Sequence, residues 1–119
     1  MTFYVMPDSK EVQISLSGIL PEGAKAVCAN ENDGAVEKHV PVAVASGSKV
    51  AVSVGSVAHP MLEAHYIKWI VLENKADVYV RLLNPGDKPE AVFEVKELCP
   101  EAKVYAFCNL HGLWASEVR

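Results

Sequence analysis

Apolar and polar residues alternate with a period of two along much of the chain. The alternating or densely apolar segments are Val12–Leu16, Val40–Val44, Val50–Val54, Tyr66–Leu72, Val78–Leu82, Ala91–Val95 and Val104–Cys108. A period of two places successive side chains on opposite faces of a strand, and no segment has the 3.6-residue spacing of an amphipathic helix. Six or seven short strands, with turns at intervals of about ten residues, predict an all-β antiparallel β-sandwich.

Glycine and proline mark the connections between these segments. Ser46–Ser48 predicts a hairpin with a three-residue loop that contains glycine. Asn84–Asp87 predicts a second tight turn. The first 34 residues are less regular, and Glu31–Gly34 is typical of a loop. We therefore expect an N-terminal appendage, residues 1–34, that cannot fold alone, followed by a β-sandwich of residues 35–119.

Composition excludes several classes of protein. Half of the 119 residues are hydrophobic, so the chain can form a packed core without disulfides. The net charge of −4 provides no basic surface for nucleic acid, and no apolar run reaches the length of a membrane span. The N-terminus lacks the pattern of a signal peptide, and no Cys-x-x-Cys motif occurs. A reducing cytoplasm is therefore the expected compartment.

All four histidines fall where the pattern predicts strand ends or loops. His39 and His65 each precede a predicted strand, and His59 lies in a loop. Cys108 ends the last clear strand and is followed three residues later by His111. A Cys-x-x-His turn lets a thiolate and an imidazole face one ion while backbone N–H groups point at the sulfur. Four imidazoles and one thiolate exceed the ligands of a structural zinc site and suit a five-coordinate iron with an open sixth position.

Two other interpretations fit parts of this pattern. A blue-copper site also uses a β-sandwich and a cysteine–histidine loop, with Met61 as the weak axial ligand, but it needs only two histidines. An interaction module without a metal would leave the histidines on the surface and Cys108 as a buried thiol. We also expect Cys28 and Cys99 to be small buried hydrophobes, with no role in binding a metal.

Three motifs occur in order along the second part of the chain. They are EKHVPV at Glu37–Val42, HPMxxxHYIxWI at His59–Ile70 and CNLHGLW at Cys108–Trp114, accompanied by Pro85–Gly86 and by PEAVF at Pro89–Phe93. Together they resemble the catalytic domain of the superoxide reductases, the desulfoferrodoxin and neelaredoxin family. The similarity covers about residues 36–115.

The resemblance implies an immunoglobulin-like β-sandwich of about seven strands that holds one mononuclear non-haem iron. The ligands implied are four equatorial histidines, His39, His59, His65 and His111, and an axial Cys108. Glu37 would occupy the sixth position in the oxidised state, and Lys38 would lie beside the open position.

The implied reaction is the one-electron reduction of superoxide to hydrogen peroxide, without dismutation to oxygen. The implied role is oxygen detoxification. The implied electron donor is rubredoxin or a similar small carrier, and a homo-oligomer, dimer or tetramer, is expected. Two-iron members begin with a desulforedoxin-like domain that binds a second iron through four cysteines. Only Cys28 remains here, so residues 1–34 resemble a degenerate form of that domain without iron.

Overall fold

Antiparallel strands are the main regular structure of the computed structural model, which describes all residues 1–119. The elements are β1 (Thr2–Val5), β2 (Gln13–Ser15), β3 (Lys25–Val27), α1 (Val36–His39), β4 (Pro41–Ser46), β5 (Lys49–Val54), β6 (Ile67–Asn74), β7 (Asp77–Leu82), β8 (Glu90–Glu94), β9 (Lys103–Cys108) and β10 (Gly112–Glu117). The only helix is four residues long, and none has the length or apolar character that crossing a membrane requires.

Strands β4 to β10 form a two-layered sandwich. A four-stranded sheet in the order β10–β9–β6–β7 packs against a three-stranded sheet in the order β4–β5–β8. Immunoglobulin constant-type domains also divide seven strands into four and three. The side chains between the layers include Ala43, Val50, Val52, Val54, Ile70, Leu72, Phe93 and Val104. The predicted all-β antiparallel sandwich is confirmed.

The N-terminal strands form a third sheet, in the order β2–β1–β3, on the outer face of the four-stranded sheet. Phe3 and Val12 pack there with Trp69, Val71 and Phe107. The rings of Phe3 and Trp69 stack with their centroids 5.9 Å apart. Strand β6 is therefore covered on both faces, which explains why its sequence is densely apolar instead of alternating.

The hairpin between β4 and β5 is tighter than the pattern predicts. Ser46 pairs with Lys49, so the loop has two residues, Gly47 and Ser48, and the predicted three-residue loop is wrong. Gly47 has a φ of +61°, and a type II′ turn requires such a conformation at its first central position. The right-handed twist of paired strands favours this turn over a longer loop.

Two further elements differ from the predicted pattern near the histidines. His39 does not open a strand but ends the short helix α1. The residues after Cys108 form strand β10, so the Cys-x-x-His motif is the hairpin turn that joins β9 to β10. The alternating pattern did not predict strand β10, because its residues Leu113, Trp114 and Ala115 are buried consecutively and do not alternate with exposed residues.

Strand register brings the histidine-bearing connections to one end of the sandwich. Pro41 at the start of β4 pairs with Val54 at the end of β5. Ile67 at the start of β6 and Gly112 at the start of β10 both pair with Cys108 at the end of β9. A β-bulge follows Ile67, and bulges re-aim the chain next to functional sites.

Replacing Phe3 tests whether the N-terminal sheet stabilises the sandwich. Phe3 is buried, so Phe3→Ala should lower the free energy of unfolding by about 3 kcal/mol through lost packing and a residual cavity. Urea denaturation measures the change. Leu16→Ala, at an exposed apolar position, is the matched control and should change it by less than about 0.5 kcal/mol. An unchanged midpoint for Phe3→Ala would show that the two parts are energetically independent.

Candidate metal centre

Three imidazoles and one thiol converge at this end of the sandwich. His39 ends α1, His59 and His65 lie in the connection between β5 and β6, and Cys108 ends β9. One ligand atom from each lies within 4.8 Å of the others. His39, His59 and Cys108 are 3%, 3% and 0% exposed, so these polar groups are shielded from water and contact one another instead. Such burial is costly unless the groups share a partner.

Two imidazole nitrogens face each other without a proton between them. The Nδ1 atom of His39 donates to the carbonyl oxygen of Ala35 at 2.7 Å, and that of His59 donates to Pro60 at 2.6 Å. Since a carbonyl can only accept, each Nδ1 carries the ring proton and each Nε2 presents a lone pair. The two Nε2 atoms are 3.2 Å apart. This contact is repulsive unless a cation binds both lone pairs.

Protonation of the rings does not remove this repulsion near neutral pH. Burial lowers the pKa of His59 to about 4, and burial also lowers the pKa values of His39 and His65. The rings therefore stay neutral and keep their lone pairs. His65 adds a third unsatisfied group, because its Nε2 is buried and has no hydrogen-bond partner. Neutral imidazoles with free, converging nitrogens fit a transition-metal ion.

Cys108 supplies the sulfur of the group. Burial raises the pKa of its thiol, whereas hydrogen bonds from the backbone N–H groups of Leu110 and His111 lower it. The two N–H groups are thus close enough to act on the sulfur, and their orientation toward it stays a prediction. A metal ion deprotonates a coordinating thiol, and the two donors would then stabilise the thiolate and tune its donor strength.

His111 lies next to the other ligands but outside the converging group. Its ring centroid is 4.9 Å from that of His39 and 5.2 Å from that of His65. Its Nδ1 lies 3.0 Å from the carbonyl oxygen of Asp33. The group within 4.8 Å therefore contains four of the five predicted ligands, with His111 at its margin.

Trp114 holds two of these imidazoles in place, and the sequence pattern did not assign it a role at the site. Its ring stacks on His39 with centroids 5.0 Å apart and an interplanar angle of 27°. Its indole N–H donates to the carbonyl oxygen of His111 at 3.0 Å. The only sequence signal for this contact is the position of Trp114 three residues after His111, which places it on the strand beginning at Gly112.

The segment that precedes α1 forms another wall of the site. Asn32 donates to the carbonyl oxygen of Leu113 at 3.1 Å. Gly112 has a φ of +82°, a conformation that favours glycine, and a Cβ atom there would lie 2.6 Å from the Asn32 side chain. A methyl group on Gly34 would lie 3.1 Å from the His39 ring and 3.3 Å from the Cβ atom of His111. The predicted loop is thus pressed against the histidines by close backbone contacts.

Glu37 and Lys38 lie on α1 beside His39, with both side chains exposed. Their charges reach the imidazoles, since Glu37 raises the pKa of His39 and Lys38 lowers the pKa values of His39 and His65. Neither belongs to the converging group. The helix sits directly on Gly55, where a Cβ atom would lie 2.7 Å from the Glu37 carbonyl oxygen.

The remaining sulfur atoms lie outside the group. Met61 accepts a hydrogen bond from the Ile67 N–H at 3.4 Å, so its sulfur is engaged with backbone. Cys28 is exposed and Cys99 is half-buried, so the expectation that each is a small buried hydrophobe is wrong. Three converging imidazoles also exceed the two that a blue-copper site uses.

Comparison with known proteins agrees with this geometry. Residues 31–117 match the model of the desulfoferrodoxin family. A desulfoferrodoxin from Syntrophotalea carbinolica is 52% identical over 90 residues, covering 74% of this chain and 70% of the relative. A superoxide reductase from Pyrococcus horikoshii is 35% identical over 102 residues, covering 70% of this chain and 87% of the relative.

A solved structure is similar over nearly the whole chain. The crystal structure of the superoxide reductase from Treponema pallidum has a TM-score of 0.73 and 35% sequence identity, and the match covers 96% of this chain and 84% of that one. The predicted family is confirmed by the sequence match, the fold and the histidine–cysteine group together. The chain belongs to the desulfoferrodoxin family.

Proposed function

We propose that the chain is a superoxide reductase with one mononuclear non-haem iron per chain. The proposed ligands are His39, His59, His65, His111 and Cys108. Glu37 is proposed as the sixth ligand in the oxidised state only. The reaction takes one electron and two protons to superoxide and releases hydrogen peroxide.

The facing lone pairs of His39 and His59 carry this proposal. A contact of 3.2 Å between two unprotonated nitrogens is stable only with a cation between them. His65 and Cys108 complete a mixed nitrogen and sulfur donor set around the same point. Imidazole and thiolate ligands suit iron as well as zinc, and the name of a similar solved protein, a superoxide reductase (1Fe-SOR) from Giardia intestinalis, favours iron.

The protein tunes the site through the sulfur ligand. Iron bound here would supply one-electron chemistry and a coordination position for the substrate. The Cys108 thiolate would donate charge toward that position, as thiolate ligands do in haem proteins. The backbone N–H groups of Leu110 and His111 would limit this donation by holding part of the negative charge on sulfur.

The exposed face of α1 is the proposed entry for superoxide. The chain is acidic overall, but salt screens that charge beyond about 8–10 Å. The ammonium of Lys38 is close enough to lower the pKa values of two site histidines, so it would attract a small anion locally and oppose the field of Glu37. Glu37, its neighbour on the helix, would cover the open position after each turnover and exclude other anions.

We propose that residues 35–119 form the iron-binding unit and that residues 1–34 bind no second iron. Cys28 is the only cysteine in that segment, and it is exposed.

Electrons would come from rubredoxin or a similar small carrier. All three cysteines are free thiols, which suits a reducing cytoplasm. A homo-oligomer is supported by strand β7, a free sheet edge that exposes Val80 and Leu82.

Removing the sulfur ligand tests the metal assignment. Purified protein should contain about one iron per chain and should absorb visible light when oxidised, through charge transfer from thiolate to iron. Cys108→Ser should abolish the visible band and the superoxide reductase activity. Cys99→Ser is the matched control, since Cys99 is half-buried and outside the group, and it should keep both. A colourless zinc protein that stays inactive after loading with iron would refute the assignment.

Removing the ammonium of α1 tests the proposed entry. Lys38→Ala should slow the reaction with superoxide by about tenfold and weaken its dependence on ionic strength. Pulse radiolysis or stopped-flow mixing measures both. Lys49→Ala is the control, because Lys49 lies at the opposite end of β5 and pairs with Glu94. Equal rates for Lys38→Ala and wild type would make Lys38 an ordinary solvated charge.

Removing the carboxylate of α1 tests the sixth ligand. Glu37→Ala should react with superoxide at nearly the wild-type rate, because Glu37 is proposed to bind only after oxidation. The oxidised variant should bind azide, which shifts its visible spectrum, whereas the wild type should resist. Glu94→Ala, remote from the group, should behave as wild type. Azide resistance in Glu37→Ala would argue that another group closes the site.

A further inference from the structure

The loop that carries His65 has little anchorage of its own. Residues 62–64 are exposed, and the backbone of His65 is paired only with Leu62 across the same short turn. The Nε2 atom of His65 is nevertheless buried and aimed at the group without a protein partner. Exposed turns with so few contacts open easily, so an additional contact must hold this ring in place.

The side chain of Asn109 provides that contact. Its Oδ1 accepts a hydrogen bond from the Tyr66 N–H at 2.9 Å, and its Nδ2 donates to the carbonyl oxygen of Ala64 at 3.0 Å. Its backbone N–H donates to the carbonyl oxygen of Tyr66 at 3.2 Å. The amide thus binds the residue on each side of His65. No other side chain forms a hydrogen bond with either of these two residues.

Asn109 lies directly after the sulfur ligand and beyond the end of the sheet. The pairing of β6 with β9 stops at Ile67 and Cys108. The side-chain amide of Asn109 presents a carbonyl acceptor and N–H donors side by side, as a peptide group does, and it therefore continues the ladder for one more step. This step joins Cys108, at the end of β9, to the residues that flank His65 just before β6.

We propose that Asn109 is a positioning residue that fixes the distance between His65 and Cys108 and thereby slows metal release. The inference rests on the metal site proposed above. Asparagine suits the position because aspartate lacks the donor for Ala64, and a hydrophobic residue would leave both backbone groups unpaired. Asn109 would touch neither substrate nor metal and would act only through the His65 loop.

A chelator-release experiment tests the proposal. Wild type and variants are loaded with iron or with Co²⁺, whose visible spectrum reports thiolate and imidazole ligation, and metal loss to excess chelator is timed. Asn109→Ala should release the metal about 10–100-fold faster, the usual effect of losing a residue that orients a ligand. Asn109→Asp keeps the acceptor and nearly the same volume, and it should also release faster than wild type.

Asn74→Ala is the matched control for a purely structural effect. Asn74 holds another connection in the same way, since it donates to the Glu97 carbonyl oxygen at 2.9 Å and accepts from the Cys99 N–H at 2.8 Å. It lies outside the converging group. Asn74→Ala should lower the unfolding midpoint but leave metal release unchanged. If Asn74→Ala and Asn109→Ala accelerate release equally, or if both Asn109 variants release at the wild-type rate, the proposal is overturned.

A double-variant comparison shows whether Asn109 acts through His65. In a His65→Ala background, Asn109→Ala should cause no further acceleration of Co²⁺ release, whereas in a His59→Ala background it should. Equal acceleration in both backgrounds would overturn the assignment to His65. A wild type that binds Co²⁺ or iron but does not reduce superoxide would refute only the proposed function. A wild type that binds neither metal would refute both.

Discussion

The facing lone pairs of His39 and His59 set the condition that the rest of the site must meet. Each ring is locked by a proton donated to a backbone carbonyl, at Ala35 and at Pro60, so neither can turn or change tautomer without losing a hydrogen bond. Burial then prevents a proton from bridging the two Nε2 atoms. The fold therefore holds two rings in a contact that is unfavourable by itself and favourable only around a cation. Local backbone geometry, more than the ligands' chemical type, makes this end of the sandwich specific for metal.

The alternation of valine residues made the sandwich predictable, because in β5 every second residue is buried. The N-terminal sheet was predictable only in part, since the alternation over Val12–Leu16 marks β2 but no such pattern marks β1 or β3. Strands β2 and β3 have only three residues each, and all six of their side chains are exposed or half-buried. Their pairing partner, β1, has only four residues, and Phe3, Tyr4 and Val5 are consecutive hydrophobic residues, so no period of two distinguishes it. These strands are stabilised because Phe3 and Val12 pack on Trp69 and Val71 of the sandwich. This is a tertiary contact, and a local sequence pattern does not reveal it.

The site was predictable at the level of residue types and less so at the level of contacts. The positions of His39, His59, His65 and Cys108 beside predicted strands were enough to bring them together once the strands paired. His111 differs because its orientation depends on Asp33, which lies 78 residues away in sequence. The closely packed glycines depend on similar long-range contacts, since Gly112 meets Asn32 and Gly55 meets Glu37. No spacing rule links positions so distant in the chain.

The two tryptophans lie in different surroundings, Trp114 against the histidines and Trp69 beneath the N-terminal sheet, so the protein carries two intrinsic fluorescent probes. Trp114 stacks on the His39 ring, so its fluorescence should be quenched when an open-shell ion binds that ring. Trp69 stacks on Phe3 beneath the N-terminal sheet, so its emission reports whether that sheet is docked. Single-tryptophan variants would separate the two signals. Ion capture and docking of the first strands could then be timed in one molecule without any attached label.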